Sequence, residues 1–155
     1  MLSIAILITC HNRRDKTLAC LQALYVSSLH ESVNIDVFWV DDGSTDGTTE
    51  AVRQYYPDVN IIHGNGNLYW NRGMHLAWKT AAETNDYDYY LWLNDDTIFY
   101  NQSLNTLLET AKTHENRSII VGATCATNDK NKMTYGGWKI NSGILPISSE
   151  IQECD

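Results

Sequence analysis

The chain has 155 residues, of which 43% are hydrophobic and 19% are charged, and these proportions are typical of a globular protein with one good core. Its formal net charge of −8 is spread along the chain, and no basic cluster is present that could neutralise a phosphate backbone. Composition and charge therefore exclude extensive disorder and make nucleic acid a poor candidate partner.

The first apolar run, LSIAILI at residues 2–8, follows Met1 without a basic region or a small-residue cleavage site. It is far too short to span a bilayer, so it predicts a first core strand and no transmembrane segment. The four cysteines form no CxxC pair and have no metal-ligand spacing with any of the five histidines. We therefore expect free thiols in a reducing cytoplasm. The cysteines are Cys10, Cys20, Cys125 and Cys154.

Apolar runs and helical spacing alternate along most of the chain. Five runs predict strands at residues 2–9, 35–40, 59–63, 88–94 and 118–124. Apolar residues at helical spacing lie between them: Leu18, Leu21 and Leu24/Tyr25; Met74, Ala77 and Ala81; Leu104, Leu107, Leu108 and Ala111. This alternation predicts an α/β, Rossmann-like fold with a mostly parallel sheet and helices on both faces. Residues 127–132 then predict a polar turn, and residues 133–140 a further strand.

Ligands in such a sheet bind beyond the carboxyl ends of the strands, so the loops after the first four strands form the candidate site. These loops are residues 9–14, 41–47, 64–73 and 94–97. In the first of them, His11 has the chemistry of a general base. A lone histidine beside a helix start is more often a packing or hydrogen-bonding residue, and we favour that interpretation.

Two consecutive carboxylates, Asp41 and Asp42, come directly after the second predicted strand. Helix capping by residues 44–46 and turns at Gly43 and Gly47 explain the rest of this loop, but they explain paired carboxylates poorly. An acidic residue at the end of a Rossmann-type strand commonly accepts hydrogen bonds from the ribose or base of a nucleotide. We therefore predict that Asp41 and Asp42 contact a nucleotide.

The apolar run YLWLNDDTIFY at residues 90–100 is interrupted by Asn94, Asp95 and Asp96. One interpretation is a turn stabilised by these short polar side chains. The other, which we favour, is a metal site. Two carboxylates with little else nearby suit Mg²⁺ or Mn²⁺, which keep bound waters and take remaining ligands from substrate phosphates.

The segment at residues 64–73 is rich in Gly and Asn and leads into a predicted helix. A lone GxG is weak evidence for a nucleotide site, and Tyr69 occupies the position of the third glycine of the dinucleotide fingerprint. A conventional NAD site is therefore not expected. Gly66, through its backbone amide, and Arg72 could face an anionic ligand, while a solvent-exposed turn explains the segment equally well.

Several aromatic residues follow or precede these loops. Those at residues 87–92 predict core and sheet-edge packing rather than a platform for a sugar ring. Trp70 and Trp138 each lie next to loop glycines, and for these two residues both interpretations remain open.

Together these loops resemble the family 2 glycosyltransferases, which are inverting nucleotide-sugar enzymes with the GT-A fold. The resemblance covers residues 2–124. TCHNR at 9–13 resembles the opening T-x-Y-N-R of the family, and WVDDGSTDGT at 39–48 resembles its nucleotide-binding V-D-D-G-S-x-D-G-T. LNDD at 93–96 occupies the place of the D-x-D or D-D-D metal motif, with Asn94 replacing the first acid.

The resemblance implies a role for each matching residue. It places Thr9, His11, Arg13 and Asp41 around the nucleoside, with Asp42 supporting them. It also places Asp95 near the ribose and Asp96 on a Mn²⁺ or Mg²⁺ ion that bridges the diphosphate. Residues 64–77 resemble a rhamnosyltransferase- and galactofuranosyltransferase-like branch, although His75 and Ala77 replace the Asn and Gly of that branch.

The implied activity is the metal-assisted transfer of a sugar from a UDP, dTDP or GDP donor to the hydroxyl of a saccharide or lipid-linked acceptor. The resemblance also implies a role in cell-surface polysaccharide synthesis. The implied location is the cytoplasm, and peripheral association at the inner membrane face is one possibility. We expect residues 1–125 to form the donor-binding domain and residues 126–155 to begin an incomplete acceptor-side region.

The catalytic base of the family is an acid downstream of the metal motif. The late carboxylates Asp129, Glu150 and Glu153 have no recognisable context, so we expect the base to lie beyond Asp155. Two alternatives remain: a non-catalytic fragment that binds nucleotide sugars, and a nucleotidyltransferase. The second predicts a basic phosphate loop near the first strand, of which Arg13 and Arg14 supply little.

Overall fold

The computed structural model describes residues 1–27, 32–115, 118–126 and 129–135. The chain divides into two compact units, Met1–Gln102 and Ser103–Asp155. The predicted boundary at residue 125 is a division by function and stays a prediction. The elements are β1 Leu2–Cys10, α1 Arg14–Val26, β2 Val33–Asp41, α2 Thr48–Tyr55, β3 Asn60–His63, α3 Tyr69–Thr84, β4 Tyr89–Trp92, α4 Ser103–Thr113, β5 Thr124–Ala126 and β6 Asp129–Tyr135.

The first unit is built on a four-stranded sheet in the order β3-β2-β1-β4, and its neighbouring strands are all parallel. β1 is an inner strand that pairs with β2 from Leu2 to Cys10 and with β4 from Ile4 to Leu7. The predicted α/β alternation and mostly parallel sheet are confirmed. After β3 the chain crosses to the other side of β1, so the carboxyl ends of β1 and β4 flank the point where the strand order reverses.

One face of this sheet is covered by α3. The apolar residues of α3 recur three and four positions apart and therefore lie along one side of the helix. They pack with alternate residues of the two inner strands, β1 and β2, and the cluster is shielded from water. Its members are Ala5, Leu7, Phe38, Val40, Met74, Ala77 and Ala81.

The remaining residues of the inner strands point to the opposite face, because side chains alternate along a strand. Ile6, Ile8 and Trp39 are fully buried there. The connections through α1 and α2 both move the chain in the same direction across the sheet, and right-handed crossovers place such helices on one side. We therefore assign α1 and α2, which contact each other and bury Leu24 and Val52, to this face.

The second unit contains α4 and an antiparallel pair, β5 with β6. The predicted helix at α4 is confirmed, but two other predictions are wrong. Residues 118–123 are not a strand: Ile119 is 94% exposed, so this apolar run has no surface to bury against. Residues 129–132, predicted as a turn, belong to β6, in which Asp129 pairs with Ala126 of β5, while residues 127, 128 and 136–140 lie outside the described residues.

No helix within the described residues is long and apolar enough to cross a membrane. The three cysteines that the structure describes, Cys10, Cys20 and Cys125, form no disulfide, and Cys154 lies outside the described residues. Burial raises the pKa of the Cys10 thiol to about 12 and that of the Cys20 thiol to about 12. Both thiols therefore stay protonated and unreactive at neutral pH.

Candidate functional site

The acidic residues after β4 lie at the two central positions of a β-turn. The amide of Leu93 still donates to the Leu7 carbonyl of β1 (3.0 Å), and the amide of Thr97 then donates to the Asn94 carbonyl (3.1 Å). This four-residue turn, residues 94–97, presents Asp95 and Asp96 at the carboxyl end of the sheet and is called the acidic turn below. The β4 strand stops at Trp92, before the residue 94 predicted from the apolar run, because the chain begins to turn at Asn94.

Arg13, which follows β1, lies between the two carboxylates. Its Nη2 donates to Asp96 Oδ2 at 2.6 Å, and its Nε lies 3.3 Å from Asp95 Oδ2. The parallel pairing of β1 with β4 explains the contact, because the carboxyl ends of neighbouring parallel strands meet at one edge of the sheet. The structure therefore brings together three residues that the sequence placed in one site.

The Asp95 carboxylate is buried, with 5% of the residue exposed, and it is incompletely satisfied. Its Oδ2 atom has no hydrogen-bond partner, because the nearby Arg13 Nε is close enough for attraction but is not aligned for a hydrogen bond. Burial raises the pKa of Asp95, and this effect outweighs the lowering of that pKa by Arg13. A buried oxygen with no hydrogen-bond donor is a position where a cation or a donor group of a ligand would be stabilised.

Asp41 ends β2 and is buried. Its Oδ1 accepts a hydrogen bond from the Ser44 amide (2.8 Å), and its Oδ2 accepts one from the Thr49 hydroxyl. These bonds fold the loop back against the start of α2. Each carboxylate oxygen has a further lone pair, so the predicted contact between Asp41 and a nucleotide stays a prediction that these bonds do not exclude.

Asp42 fixes the loop between β3 and α3. Its Oδ1 accepts from the Gly66 amide (2.8 Å), and its Oδ2 accepts from the amides of Leu68 (2.8 Å) and Tyr69 (3.0 Å). The amides of Leu68 and Tyr69, at the start of α3, are therefore occupied by the protein's own carboxylate rather than open to an anionic ligand. The predicted contacts of Asp42 and Gly66 with a nucleotide stay predictions, but the Gly66 amide is already engaged.

His11 and Asn12 connect the loop after β1 to the loop after β2. His11 Nδ1 lies 2.6 Å from the Asp42 carbonyl and donates to it, which leaves Nε2 to accept from Asn12 Nδ2 (3.1 Å). The side-chain Oδ1 of Asn12 accepts a hydrogen bond from the Thr45 amide (2.7 Å), and the backbone amide of Asn12 donates one to Ser44 Oγ (2.9 Å). Asn12 has φ of +53°, a conformation that Asn adopts more readily than most residues. Asn12 lies within the TCHNR segment but was not predicted as a site residue.

Two further predicted residues lie in β1 and α3. Thr9, near the end of β1, packs directly against Gly73 of α3. Arg72, one residue earlier in the helix, is exposed. Their predicted contacts with a nucleotide remain predictions.

A family model for glycosyl transferase family 2 matches residues 5–149 of the chain. The chain belongs to this family. No curated protein sequence matches it.

Two solved structures share its fold at low sequence identity. TarS 1–349 of S. aureus in complex with UDP-GlcNAc has a TM-score of 0.60 and 19% identity, over 74% of this chain and 32% of TarS 1–349. Mannosyltransferase PcManGT of Pyrobaculum calidifontis, in complex with GDP-Man and Mn²⁺, has a TM-score of 0.58 and 21% identity, over 79% of this chain and 35% of PcManGT. This family 2 glycosyltransferase chain thus has the expected GT-A fold and spans about a third of the length of these proteins.

The acidic turn of this family 2 glycosyltransferase fits a divalent cation that arrives with a ligand. Among the described residues, no group of three or more His, Cys, Asp or Glu side chains could hold a metal ion. Asp95 and Asp96 offer two carboxylates, and Asp95 Oδ2 has no hydrogen-bond partner. Mg²⁺ and Mn²⁺ bind readily through one or two carboxylates plus substrate phosphates and water. The residues therefore fit a cation coordinated partly by a diphosphate rather than one held by the protein alone.

Proposed function

We propose that this chain binds a nucleoside-diphosphate sugar and contributes to its metal-assisted, inverting transfer to an acceptor hydroxyl. One observation carries the proposal: the Asp95–Asp96 turn and Arg13 meet at the carboxyl edge of the sheet, beside the loop of Asp41 and Asp42. A buried carboxylate with one oxygen that lacks a hydrogen-bond donor, an exposed carboxylate and one arginine form a set that suits a cation and a diphosphate better than a packed core.

Asp96, with Asp95 beside it, would hold the Mn²⁺ or Mg²⁺ ion. The ion, when bound, would stabilise the negative charge that develops on the departing nucleoside diphosphate. Arg13 now donates to Asp96 Oδ2, so it has to give up part of this contact when a cation binds that oxygen. Its guanidinium is then free to pair with a phosphate of the donor.

The nucleoside itself is assigned to the loops after β1 and β2. In the proposal, Thr9, His11, Arg13 and Asp41 surround it, and Asp95 faces the ribose. Asp42 acts indirectly, because its hydrogen bonds to the amides of residues 66, 68 and 69 hold the neighbouring loop in place. Gly66 and Arg72 are proposed to lie along the donor.

The finer parts of the proposal rest on the sequence resemblance. They are a UDP, dTDP or GDP donor, a saccharide or lipid-linked acceptor, a rhamnosyltransferase- or galactofuranosyltransferase-like branch, a role in cell-surface polysaccharide synthesis, and a donor domain over residues 1–125. The bound molecules named for TarS, UDP-GlcNAc, and for PcManGT, GDP-Man with Mn²⁺, support a nucleotide-sugar donor. No residue is assigned as the group that takes the proton of the acceptor.

Calorimetric titration of UDP, dTDP and GDP, with and without Mn²⁺, tests the proposal. We expect one of the three to bind the wild-type protein, and to bind more tightly with Mn²⁺. Asp96→Asn removes a carboxylate charge with little change in volume and should weaken Mn²⁺-dependent binding by about tenfold or more. Asp86→Asn, at an exposed position before β4, is the matched control and should bind as the wild type does.

Metal-independent binding that Asp96→Asn leaves unchanged would contradict the proposed site. Release of free sugar or transfer to an acceptor, followed by chromatography of the donor, separates the enzyme from a fragment that only binds. Incorporation of a nucleoside monophosphate from a nucleoside triphosphate would instead support the nucleotidyltransferase alternative.

A further inference from the structure

Asn94 is held from two helices at the start of the acidic turn. Its side-chain Oδ1 accepts a hydrogen bond from Trp70 Nε1 of α3 at 3.0 Å, and its carbonyl accepts one from Cys20 Sγ of α1 at 3.5 Å. The same carbonyl accepts the Thr97 amide that closes the turn. Asn94 therefore links the sheet edge, one helix on each face of the sheet and the two central acidic residues.

The Trp70 indole is itself held by packing against the end of β4. Its ring lies edge-on to that of Trp92, with 5.8 Å between centroids and 61° between planes. Trp78, two turns further along α3, packs on the same Trp92 ring at 5.9 Å and 65°. Trp92 and Asn94 are two positions apart, so in extended chain both side chains point to the α3 side. Helix α3 thus contacts the end of β4 through apolar packing and, at Asn94, through a directed hydrogen bond.

A neutral acceptor at position 94 has an electrostatic advantage. Asp95 is buried and Asp96 is its neighbour, so a third carboxylate beside them would add repulsion in a region that already has two acidic groups. An amide oxygen accepts the indole N–H without adding charge. Asn94, which stands where the resembled motif has its first acid, can therefore hold the turn in place without acting as a metal ligand.

We propose that Trp70 and Asn94 are positioning residues, which orient the Asp95–Asp96 turn for a divalent cation and nucleoside diphosphate through the bond between Trp70 Nε1 and Asn94 Oδ1. This inference rests on the proposed function, because it assumes that the turn binds these ligands. The bond fixes the first residue of the turn, so its loss allows Asp96 to leave the position that a cation requires and Asp95 to leave the position that faces the ribose.

Four single variants and one double variant of the full chain test the inference. Trp70→Phe keeps an aromatic ring against Trp92 and removes the indole N–H together with part of the ring. Asn94→Leu keeps a branched side chain without an acceptor, whereas Asn94→Asp keeps the acceptor and adds a charge. Trp78→Phe is the matched control, since Trp70 and Trp78 are similarly exposed, at 47% and 44%, and both pack on Trp92.

The measured quantity is the dissociation constant of UDP, dTDP or GDP, whichever binds best, in the presence of Mn²⁺. Trp70→Phe and Asn94→Leu should each raise it about tenfold, and the double variant should be no worse than either single variant. Trp78→Phe should stay within about threefold of the wild type, and Asn94→Asp, which keeps the acceptor but adds a charge beside Asp95 and Asp96, should raise the dissociation constant less than Asn94→Leu does. Equal effects of Trp70→Phe and Trp78→Phe, or single effects that multiply in the double variant, would overturn the inference.

A second measurement separates this inference from the proposed function. The chain has five tryptophans, so its ¹H–¹⁵N spectrum contains five indole N–H signals, and Trp70→Phe identifies one of them. Asn94→Leu should shift that signal, and Trp70→Phe should shift the backbone amides of Asp95 and Asp96 more than Trp78→Phe does. If the wild type binds no nucleotide but these shifts occur, the proposed function fails and the positioning of the turn stands. If the two tryptophan variants shift the turn amides equally, the positioning role is wrong whatever binds.

Discussion

Asp95 is unfavourable for folding in the ligand-free protein, which fits the role proposed for it. Its carboxylate is removed from water, and Arg13, whose Nε lies 3.3 Å away, does not donate a hydrogen bond to Oδ2. Such a group is retained more easily where a ligand will complete its surroundings than in a core whose sole function is packing. The energetic cost of Asp95 in the ligand-free protein can be measured through its pH dependence.

We expect Asp95→Asn to stabilise the protein more at pH 7 than at acidic pH. Burial raises the pKa of Asp95 in the folded protein, above the ordinary aspartate value of about 4. The folded state then binds more protons than the unfolded state between these two values, so the contribution of Asp95 to stability is fully present below about pH 4 and is lost as the pH rises through the raised pKa. Urea unfolding of both proteins across this range gives the difference at each pH.

Asp88→Asn is the control with the opposite sign. The Ser3 amide and hydroxyl donate to Asp88 Oδ2 at 2.8 and 2.9 Å, and these bonds lower the pKa of Asp88. The contribution of Asp88 is therefore present above the ordinary aspartate pKa and is lost as the pH falls through the lowered value. Asp88→Asn should destabilise most at neutral pH. A pH profile for Asp95→Asn that runs parallel to that of Asp88→Asn would contradict the expectation.

The hydrogen-bond partners of Asp42 could not be predicted from the sequence. A carboxylate directly after a buried strand is visible in the sequence, and it suggests either a ligand or a cap. Whether its oxygens meet a nucleotide or backbone amides depends on where residues 64–69 fold, some twenty residues later. The structure brings three amides of that segment to Asp42, which no local pattern encodes.

At the scale of elements, α3 approaches β1 closely because position 73 is glycine. A Cβ atom built on Gly73 would lie 2.9 Å from the Cβ of Thr9, and closer still to Thr9 Oγ1. This close approach supports the packing of Met74 and Ala77 against Ala5 and Leu7 in the cluster beneath the helix. The glycine therefore sets the distance between the helix and the strand whose carboxyl end carries Arg13.

We expect Gly73→Ala to destabilise the protein by about 1–3 kcal/mol through overpacking against Thr9. At a helix position where a Cβ atom meets no neighbour, the same substitution stabilises by about 1 kcal/mol. The sign of the change in stability therefore shows whether an added Cβ at position 73 is overpacked. Denaturant unfolding provides the measurement. Lys79→Ala, at an exposed position of the same helix, is the control and should change stability little. A gain in stability for Gly73→Ala would show that α3 can move away from β1 at no cost.

The elements most visible in the sequence are those that form the parallel sheet, together with the three helices whose apolar residues recur at helical spacing. β1 to β4 and helices α1, α3 and α4 follow the predicted runs and spacings closely. The run at residues 118–124 gave a wrong strand because an apolar pattern states which residues could be buried and not whether a partner surface exists. Val121 and Ile119 are exposed in the structure.

At the scale of the whole molecule, the proximity of the loops that form the candidate site was predictable, and the contacts between them were not. Parallel topology requires the loops after the strands to share one edge, so the sequence could bring residues 9–14, 41–47 and 94–97 together. The pairing of Arg13 with both Asp95 and Asp96, and the bond from Trp70 to Asn94, depend on side-chain positions set by the packed sheet and helices. Periodicity and composition carry no information about these contacts.

The two units should also differ in how firmly each is held together. β1 pairs on both sides and its residues Ala5–Ile8 are fully buried, so opening them requires loss of the sheet as a whole. β5 has three residues, its pairing with β6 is irregular, and a two-stranded pair is at best marginally stable in water. In hydrogen exchange on the full chain, we expect the amides of β1 to exchange slowest, with a free energy close to that of global unfolding, and those of Thr124–Ala126 to exchange by local opening at far lower free energy. Unfolding measured by urea provides the global value for comparison. Equal protection of β1 and β5 would mean that the second unit unfolds only together with the sheet, and the stability of the acidic turn would then depend on both.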